Sequence, residues 1–151
     1  MLTNCIKNYP ISVLTTLVVI ALSTCPIGTP EVASDVPLAD KWTHMVMYAF
    51  LAQIVCWEDW KVIKGKKLFK PEASQGAERK SENGGWRRYV WIVLGCALLG
   101  GGLELVQAYL TTYRSGEWLD FVADTIGAVI GGFIIWVKEK WEFTSSARRS
   151  S

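Results

Sequence analysis

Four apolar runs divide the chain, and charged residues crowd the segments between them. The runs predict helices over residues 9–25, 42–60, 89–111 and 118–137. An α-helix needs ~17–25 residues to cross the ~30 Å hydrocarbon core of a bilayer, and each run reaches or approaches that length. Soluble cores bury apolar residues in shorter periodic stripes. The pattern predicts an all-α polytopic membrane protein, a compact four-helix transmembrane bundle, with residues 1–151 forming a single domain.

The first run, Tyr9 to Cys25, is the shortest and has a second interpretation. Lys7 before the run and the sequence LSTC at its end are also features of a cleaved signal peptide. However, Pro26 follows the candidate cysteine directly, and no A-x-A-like cleavage site is present. A retained helix is therefore the favoured interpretation.

Lysine and arginine are distributed unevenly among the connecting segments. Of the 16, nine lie in residues 61–88, four follow residue 137, and Lys7 precedes the first run. The other two connections hold one each, Lys41 and Arg114. Because basic residues are retained on the cytoplasmic side, residues 61–88 are predicted to be a cytoplasmic loop and both termini cytoplasmic. A net charge of +2 without a basic helical face argues against nucleic-acid binding.

Polar and ionisable residues inside the runs concentrate at one end of the predicted bundle. Ionisable residues within spans are costly and normally face protein or water. At ~1.5 Å per residue, Glu104 and Asp124 each lie about 9 Å from the outer helix ends. We expect nothing comparable at the cytoplasmic ends. The residues concerned are Asp40, Lys41, His44, Tyr48, Glu104, Gln107, Arg114, Glu117, Asp120 and Asp124.

Helical spacing places these residues on shared faces, because positions three and four apart are neighbours. The faces are Lys41, His44 and Tyr48 on the second helix, Gly100, Glu104, Gln107 and Thr111 on the third, and Asp120, Asp124, Gly127 and Gly131 on the fourth. Small residues allow close helix approach within lipid. The residues predicted to do so are Ala123, Gly127 and Gly131 on the fourth helix and Gly95, Gly100, Gly101 and Gly102 on the third. We expect helices two to four to close around one polar pocket that opens to the outside.

Three segments that carry these residues resemble the VanZ-like family: DKWTHMVMY at 40–48, GGLELVQAY at 101–109 and YRSGEWLDFVADTIGAVIG at 113–131. The family, named for an accessory protein of teicoplanin resistance, has the pattern D-K-x-x-H-x-x-x-Y, E-x-x-Q, R-[ST] and D-x-x-x-N-x-x-G-x-x-x-G. The chain departs from it at Asp124, where the family has Asn. The resemblance covers most of the chain after the first run. It implies a multi-pass protein of the bacterial cytoplasmic membrane that acts on the cell envelope, with a bearing on glycopeptide tolerance.

The functional hypothesis assigns the pocket to a membrane lipid of the outer leaflet or a lipid-linked cell-wall precursor. A buried carboxylate can exchange a proton near neutral pH, so Glu104 is the candidate base and His44 its acid partner. Lys41 and Arg114 suit a phosphate group. The candidate catalytic residues are Glu104, His44 and Asp120, and the candidate substrate-binding residues are Lys41, Tyr48, Gln107, Arg114 and Asp124.

Three other interpretations stay open. A buried polar network would pair Glu104 with His44 or Arg114, and Asp120 with Lys41, and would only hold the helices together. A small proton-coupled transporter would also use carboxylates and histidine within spans. Against it, the cytoplasmic halves of the runs are predicted to be apolar. A non-catalytic assembly factor would use the glycine faces as partner surfaces.

Metal and redox chemistry are not expected. A site built from His44, Glu104, Asp120 and Asp124 would have one histidine and no ligand-spacing motif. No metal and no cofactor is therefore predicted. Cysteines without CxxC spacing are predicted to be small packing residues. They are Cys5, Cys25, Cys56 and Cys96.

Overall fold

The computed structural model is helical throughout the residues that it describes, which are 7–24, 39–69, 85–110 and 118–149. The helices are α1 (Pro10–Thr24), α2 (Ala39–Phe69), α3 (Gly85–Leu110) and α4 (Trp118–Arg149). The predicted all-α class is confirmed. Two segments, Gly85–Tyr109 and Trp118–Glu142, are long and apolar enough to cross a membrane, and α1 is a shorter apolar helix.

The ends of α2 and α4 lie well beyond the predicted ends. The apolar runs stop at residues 60 and 137, whereas α2 continues to Phe69 and α4 to Arg149. The prediction that a loop begins at residue 61 is therefore wrong. Residues 70–84 of the predicted loop lie outside the described residues.

Charged side chains account for these extensions, because they are good helix formers with partners one turn away. Lys61 Nζ lies 3.3 Å from the centre of the Trp57 ring. Across the two extensions, Lys64 Nζ lies 3.3 Å from Glu142 Oε2. Hydropathy marks where an apolar run stops, but a helix can continue past that point.

α2 and α4 share the most extensive helix contact, and glycines on α4 set its spacing. A Cβ atom at Gly127 would overlap the backbone carbonyl of Met45, and one at Gly131 would overlap that of Ala49. The two backbones therefore touch directly along this seam. The close approach predicted from the glycine spacing on α4 is confirmed.

The glycines of α3 divide into two groups. A Cβ at Gly101 would lie 3.2 Å from the Phe121 ring, and one at Gly100 would meet Asp124, so both face α4. Gly95 and Gly102 would meet nothing within 4 Å. The packing role predicted for these last two glycines is wrong within this chain.

The apolar core lies where α2, α3 and α4 meet, and α1 joins it through Val19. Its buried members are Val19, Tyr48, Leu51, Ala52, Cys96, Leu103 and Ala128. Cys56 and Cys96 are buried and not disulfide-bonded, as packing residues would be. Large apolar side chains cover the outer surfaces of all four helices, including Leu14, Phe50, Leu98 and Phe133. So much exposed apolar surface indicates a further environment, such as lipid or partner protein.

Candidate functional site

Most of the predicted site residues lie in one buried group with its flanking residues Tyr48 and Gln107, which we call the His44 cluster. Arg114 lies outside the described residues, as does the rest of 111–117. The cluster consists of Lys41, His44 and Tyr48 from α2, Glu104 and Gln107 from α3, and Asp120 and Asp124 from α4. All but Lys41 are buried. The shared faces predicted from helical spacing are confirmed.

His44 sits between two carboxylates. Its Nδ1 lies 3.0 Å from Asp124 Oδ1 and 3.9 Å from Glu104 Oε1. His44 Nδ1 and Asp124 Oδ1 share a hydrogen bond. Asp124, the residue at which the chain departs from the VanZ-like pattern, is therefore the nearer partner of His44.

The lack of a side chain at Gly100 leaves space for the carboxylate of Asp124. A Cβ there would lie 2.6 Å from Asp124 Oδ2, so the carboxylate rests against the backbone of α3. Gly100 is one turn from Glu104, which directs its own carboxylate toward the same histidine. Two acids from different helices consequently share one imidazole.

Lys41 and Asp120 form the accessible edge of the cluster. Lys41 Nζ lies 3.1 Å from Asp120 Oδ1, and the two side chains are 20% and 2% exposed. This pair was predicted as part of a buried polar network. Lys41 is the most exposed member of the cluster.

Gln107 connects the cluster to α1. Its Nε2 donates to the backbone oxygen of Ser23 over 2.7 Å. The last carbonyls of a helix lack partners within the helix, and Gln107 satisfies one of them. α1 thereby packs as part of the bundle, as expected of a retained helix.

The hydroxyl of Tyr48 has no hydrogen-bond partner among the described residues, although its side chain is 1% exposed. Tyr48 lies one helical turn from His44, on the same face of α2. A buried hydroxyl without a partner is unusual and needs an explanation.

Two overlapping sets of side chains have the spacing of metal ligands. One ligand atom each from His44, Glu104 and Asp124 lie within 4.8 Å of one another, and all three residues are buried. Asp40, His44 and Asp120 form the second set. Three helices contribute the donors of the first set and two helices those of the second, so no ligand-spacing motif marks either set along the chain.

A second polar group at the opposite ends of the helices, the Arg88 cluster, was not predicted. Arg88 bridges Asp59 of α2 and Glu139 of α4, at 3.1 Å from Nε and 3.0 Å from Nη2. The hydroxyl of Tyr9 donates to Asp59 over 3.0 Å, and that of Tyr89 donates to Glu139. The expectation that these ends hold nothing comparable is wrong.

Glu58, next to Asp59, holds the first turn of α1. Its carboxylate accepts from the backbone nitrogens of Ile11 and Ser12 at 3.0 and 2.8 Å, and from Ser12 Oγ at 2.6 Å. Free amides and the helix dipole make a helix N-terminus attractive to a carboxylate. Glu58 is thus an N-terminal cap supplied by another helix.

Two surface grooves lie away from the His44 cluster. One, of about 470 Å³, runs beside the Arg88 cluster and is lined by Tyr9, Thr16, Val55, Asp59 and Ile92, among others. The other lies along α4 near Trp136 and Trp141. Neither coincides with the predicted outward pocket.

No protein-family model matches the chain, and no curated protein or solved structure gives a match. Residue assignments therefore rest on the geometry described above.

Proposed function

We propose that the chain is a VanZ-like, four-span protein of the bacterial cytoplasmic membrane, with both termini cytoplasmic. Its His44 cluster faces outward and binds or modifies the polar head of an envelope lipid or a lipid-linked cell-wall precursor, with an effect on glycopeptide tolerance. The observation that carries this proposal is the convergence of residues from α2, α3 and α4 on one shared imidazole.

The surface of the bundle supports a membrane setting. Two helices have the length and composition of spans. Exposed tryptophans lie near the helix ends, where their rings suit the headgroup region: Trp42, Trp86, Trp118 and Trp141. Basic residues on the extensions of α2 and α4 belong to the end that we assign to the cytoplasm.

The chemistry of the cluster supports binding of an anionic group. Lys41 is partly exposed and rests on Asp120, so a phosphate would compete with Asp120 for the same ammonium group. His44, held by Asp124 and near Glu104, supplies a proton donor and acceptor deeper in the cluster. Asp124 then serves to position His44, and Arg114 stays a proposed second phosphate ligand.

Lipid analysis of cells that carry no protein, the wild type, or Glu104→Gln at matched membrane levels tests this function. Glu58→Gln is the matched control, because it removes a buried acid outside the His44 cluster. We expect an envelope lipid or precursor to change with the wild type and the control but not with Glu104→Gln. Identical profiles in all cells would contradict the catalytic form of the proposal.

One observation favours proton-coupled transport as the second candidate. Buried acids occur at two levels along α2, with Glu104 and Asp124 beside His44 and Glu58 on α2 itself, and about 21 Å of helix separates residues 44 and 58. Leu51, Ala52 and Cys56 bury the intervening stretch. Proton uptake by liposomes that contain the protein, together with unchanged lipid profiles, would favour transport.

The assembly-factor alternative keeps only part of its predicted surface. Gly127 and Gly131 contact α2 within the chain, whereas Gly95 and Gly102 on α3 meet no described residue.

A further inference from the structure

We propose that His44, Glu104 and Asp124 bind a divalent transition-metal ion, with Zn²⁺ as the representative. One nitrogen and two carboxylate oxygens form a donor set typical of such ions, whereas Mg²⁺ and Ca²⁺ prefer oxygen alone. The site coincides with that of the proposed function and adds a cofactor to it, but its argument uses only the geometry of the cluster.

The distances fit a common ion. Ligand atoms ~2.1 Å from one ion in a tetrahedral arrangement lie about 3.4 Å apart. The observed separations from His44 Nδ1 are 3.0 Å to Asp124 and 3.9 Å to Glu104, on either side of that value. Small side-chain rotations therefore suffice, and the helices need not move.

Tyr48 provides an independent indication. Its hydroxyl is buried and has no hydrogen-bond partner among the described residues, and the residue lies one helical turn from His44. A water on the ion's remaining position would give this hydroxyl an acceptor. The same group has no evident use in a purely structural network.

Charge also favours a divalent ion at this position. The carboxylates of Glu104 and Asp124 are both buried, and negatively charged oxygen ligands attract a divalent cation. Gly100 contributes by letting the Asp124 carboxylate lie against α3. The second set, Asp40, His44 and Asp120, is less suitable because the Lys41 ammonium already occupies Asp120 and would repel a cation.

The chain has one histidine, which makes the test direct. The full chain, purified in detergent through an affinity tag that lacks histidine, is labelled with ¹⁵N-histidine and titrated with Zn²⁺. Metal binding at Nδ1 transfers the ring hydrogen to Nε2. We therefore expect both nitrogen resonances to move and to saturate at one equivalent of Zn²⁺.

Variants locate the ion. Glu104→Gln and Asp124→Asn should weaken Zn²⁺ binding at least ~10-fold, whereas Glu58→Gln should leave it unchanged. Resonances that do not move in the wild type would overturn the proposal. So would loss of binding in Asp120→Asn with binding intact in Glu104→Gln, because the ion would then lie in the second set.

The two experiments test the metal site and the proposed function independently. If Zn²⁺ does not bind but Glu104→Gln still abolishes the lipid change, only the metal inference is wrong. If Zn²⁺ binds and lipid profiles never change, the metal site stands and the lipid function does not.

Discussion

The two polar clusters sit on the same helices but are built differently. In the Arg88 cluster, each acid has identified partners: Glu58 accepts from the first amides of α1, and Glu139 accepts from Arg88 and Tyr89. Asp59 accepts from Tyr9 and forms an ion pair with Arg88, although Asp59 Oδ2 and Arg88 Nε make no hydrogen bond. In the His44 cluster, two acids share one imidazole, and the Tyr48 hydroxyl has no partner among the described residues.

This difference separates a structural contact from a candidate site. Donors matched to each acid stabilise one arrangement of the helices. The buried Tyr48 hydroxyl, on a residue one helical turn from His44, makes no hydrogen bond among the described residues and leaves capacity for a ligand or an ion. Loss of the Arg88 cluster should therefore reduce stability, and loss of the His44 cluster should reduce function.

Widening the seam between α2 and α4 should disrupt both clusters and have the largest effect. In Gly127→Ala, the added Cβ would overlap the Met45 carbonyl and force the helices apart. We expect the free energy of unfolding to fall by ~1–3 kcal/mol or more, as measured by thermal unfolding in detergent. Gly95→Ala is the control, since nothing lies within 4 Å of its Cβ. Equal unfolding temperatures for the two variants would contradict the backbone contact.

Removing the central cation of the Arg88 cluster should reduce stability while leaving function intact. Arg88→Met leaves Asp59 and Glu139 without their shared partner, and we expect a loss on the order of 1–3 kcal/mol because the side chains are only partly buried. Lys64→Met is the matched control: its ion pair with Glu142 is 62% and 43% exposed, so it should change stability by less than ~1 kcal/mol. Equilibrium unfolding in detergent measures the stability of both variants. If Arg88→Met folds but no longer changes the lipid profile of cells, the two clusters do not differ in the way proposed.

The smallest expected effect on stability comes from the partnerless hydroxyl. Tyr48→Phe should change the free energy of unfolding by less than ~1 kcal/mol, because it removes a group that makes no hydrogen bond. Tyr89→Phe loses its bond to Glu139 and should be the less stable of the two. The lipid assay should show the reverse order, with Tyr48→Phe impaired and Tyr89→Phe active. A clear decrease in the free energy of unfolding of Tyr48→Phe would instead indicate a structural role.

Hydropathy and spacing predicted the number of helices, their class and the shared faces of the His44 cluster. The ends of α2 and α4 could not be predicted, because charged helical extensions resemble loops in hydropathy. The preference of His44 for Asp124 over Glu104 depends on helix rotation and on the space at Gly100, neither of which spacing fixes.

The Arg88 cluster was missed for a different reason. Its acids lie next to lysines and tryptophans at the ends of apolar runs, where a charged residue is normally solvated. A signal was nevertheless present: Glu58 and Asp59 fall inside the predicted helix 42–60, at the same depth as Arg88 and Glu139 on neighbouring helices. A comparison of the depths of polar residues at these ends of the predicted helices therefore groups Glu58 and Asp59 with Arg88 and Glu139.

The cap that Glu58 provides also orders events during synthesis. Ser12 and Glu58 are 46 residues apart, so α1 emerges from the ribosome long before its acceptor exists. Until α2 has been made, the first amides of α1 must be satisfied by water or lipid headgroups. The contact between α1 and Glu58 can therefore form only after the part of α2 that carries Glu58 has been made.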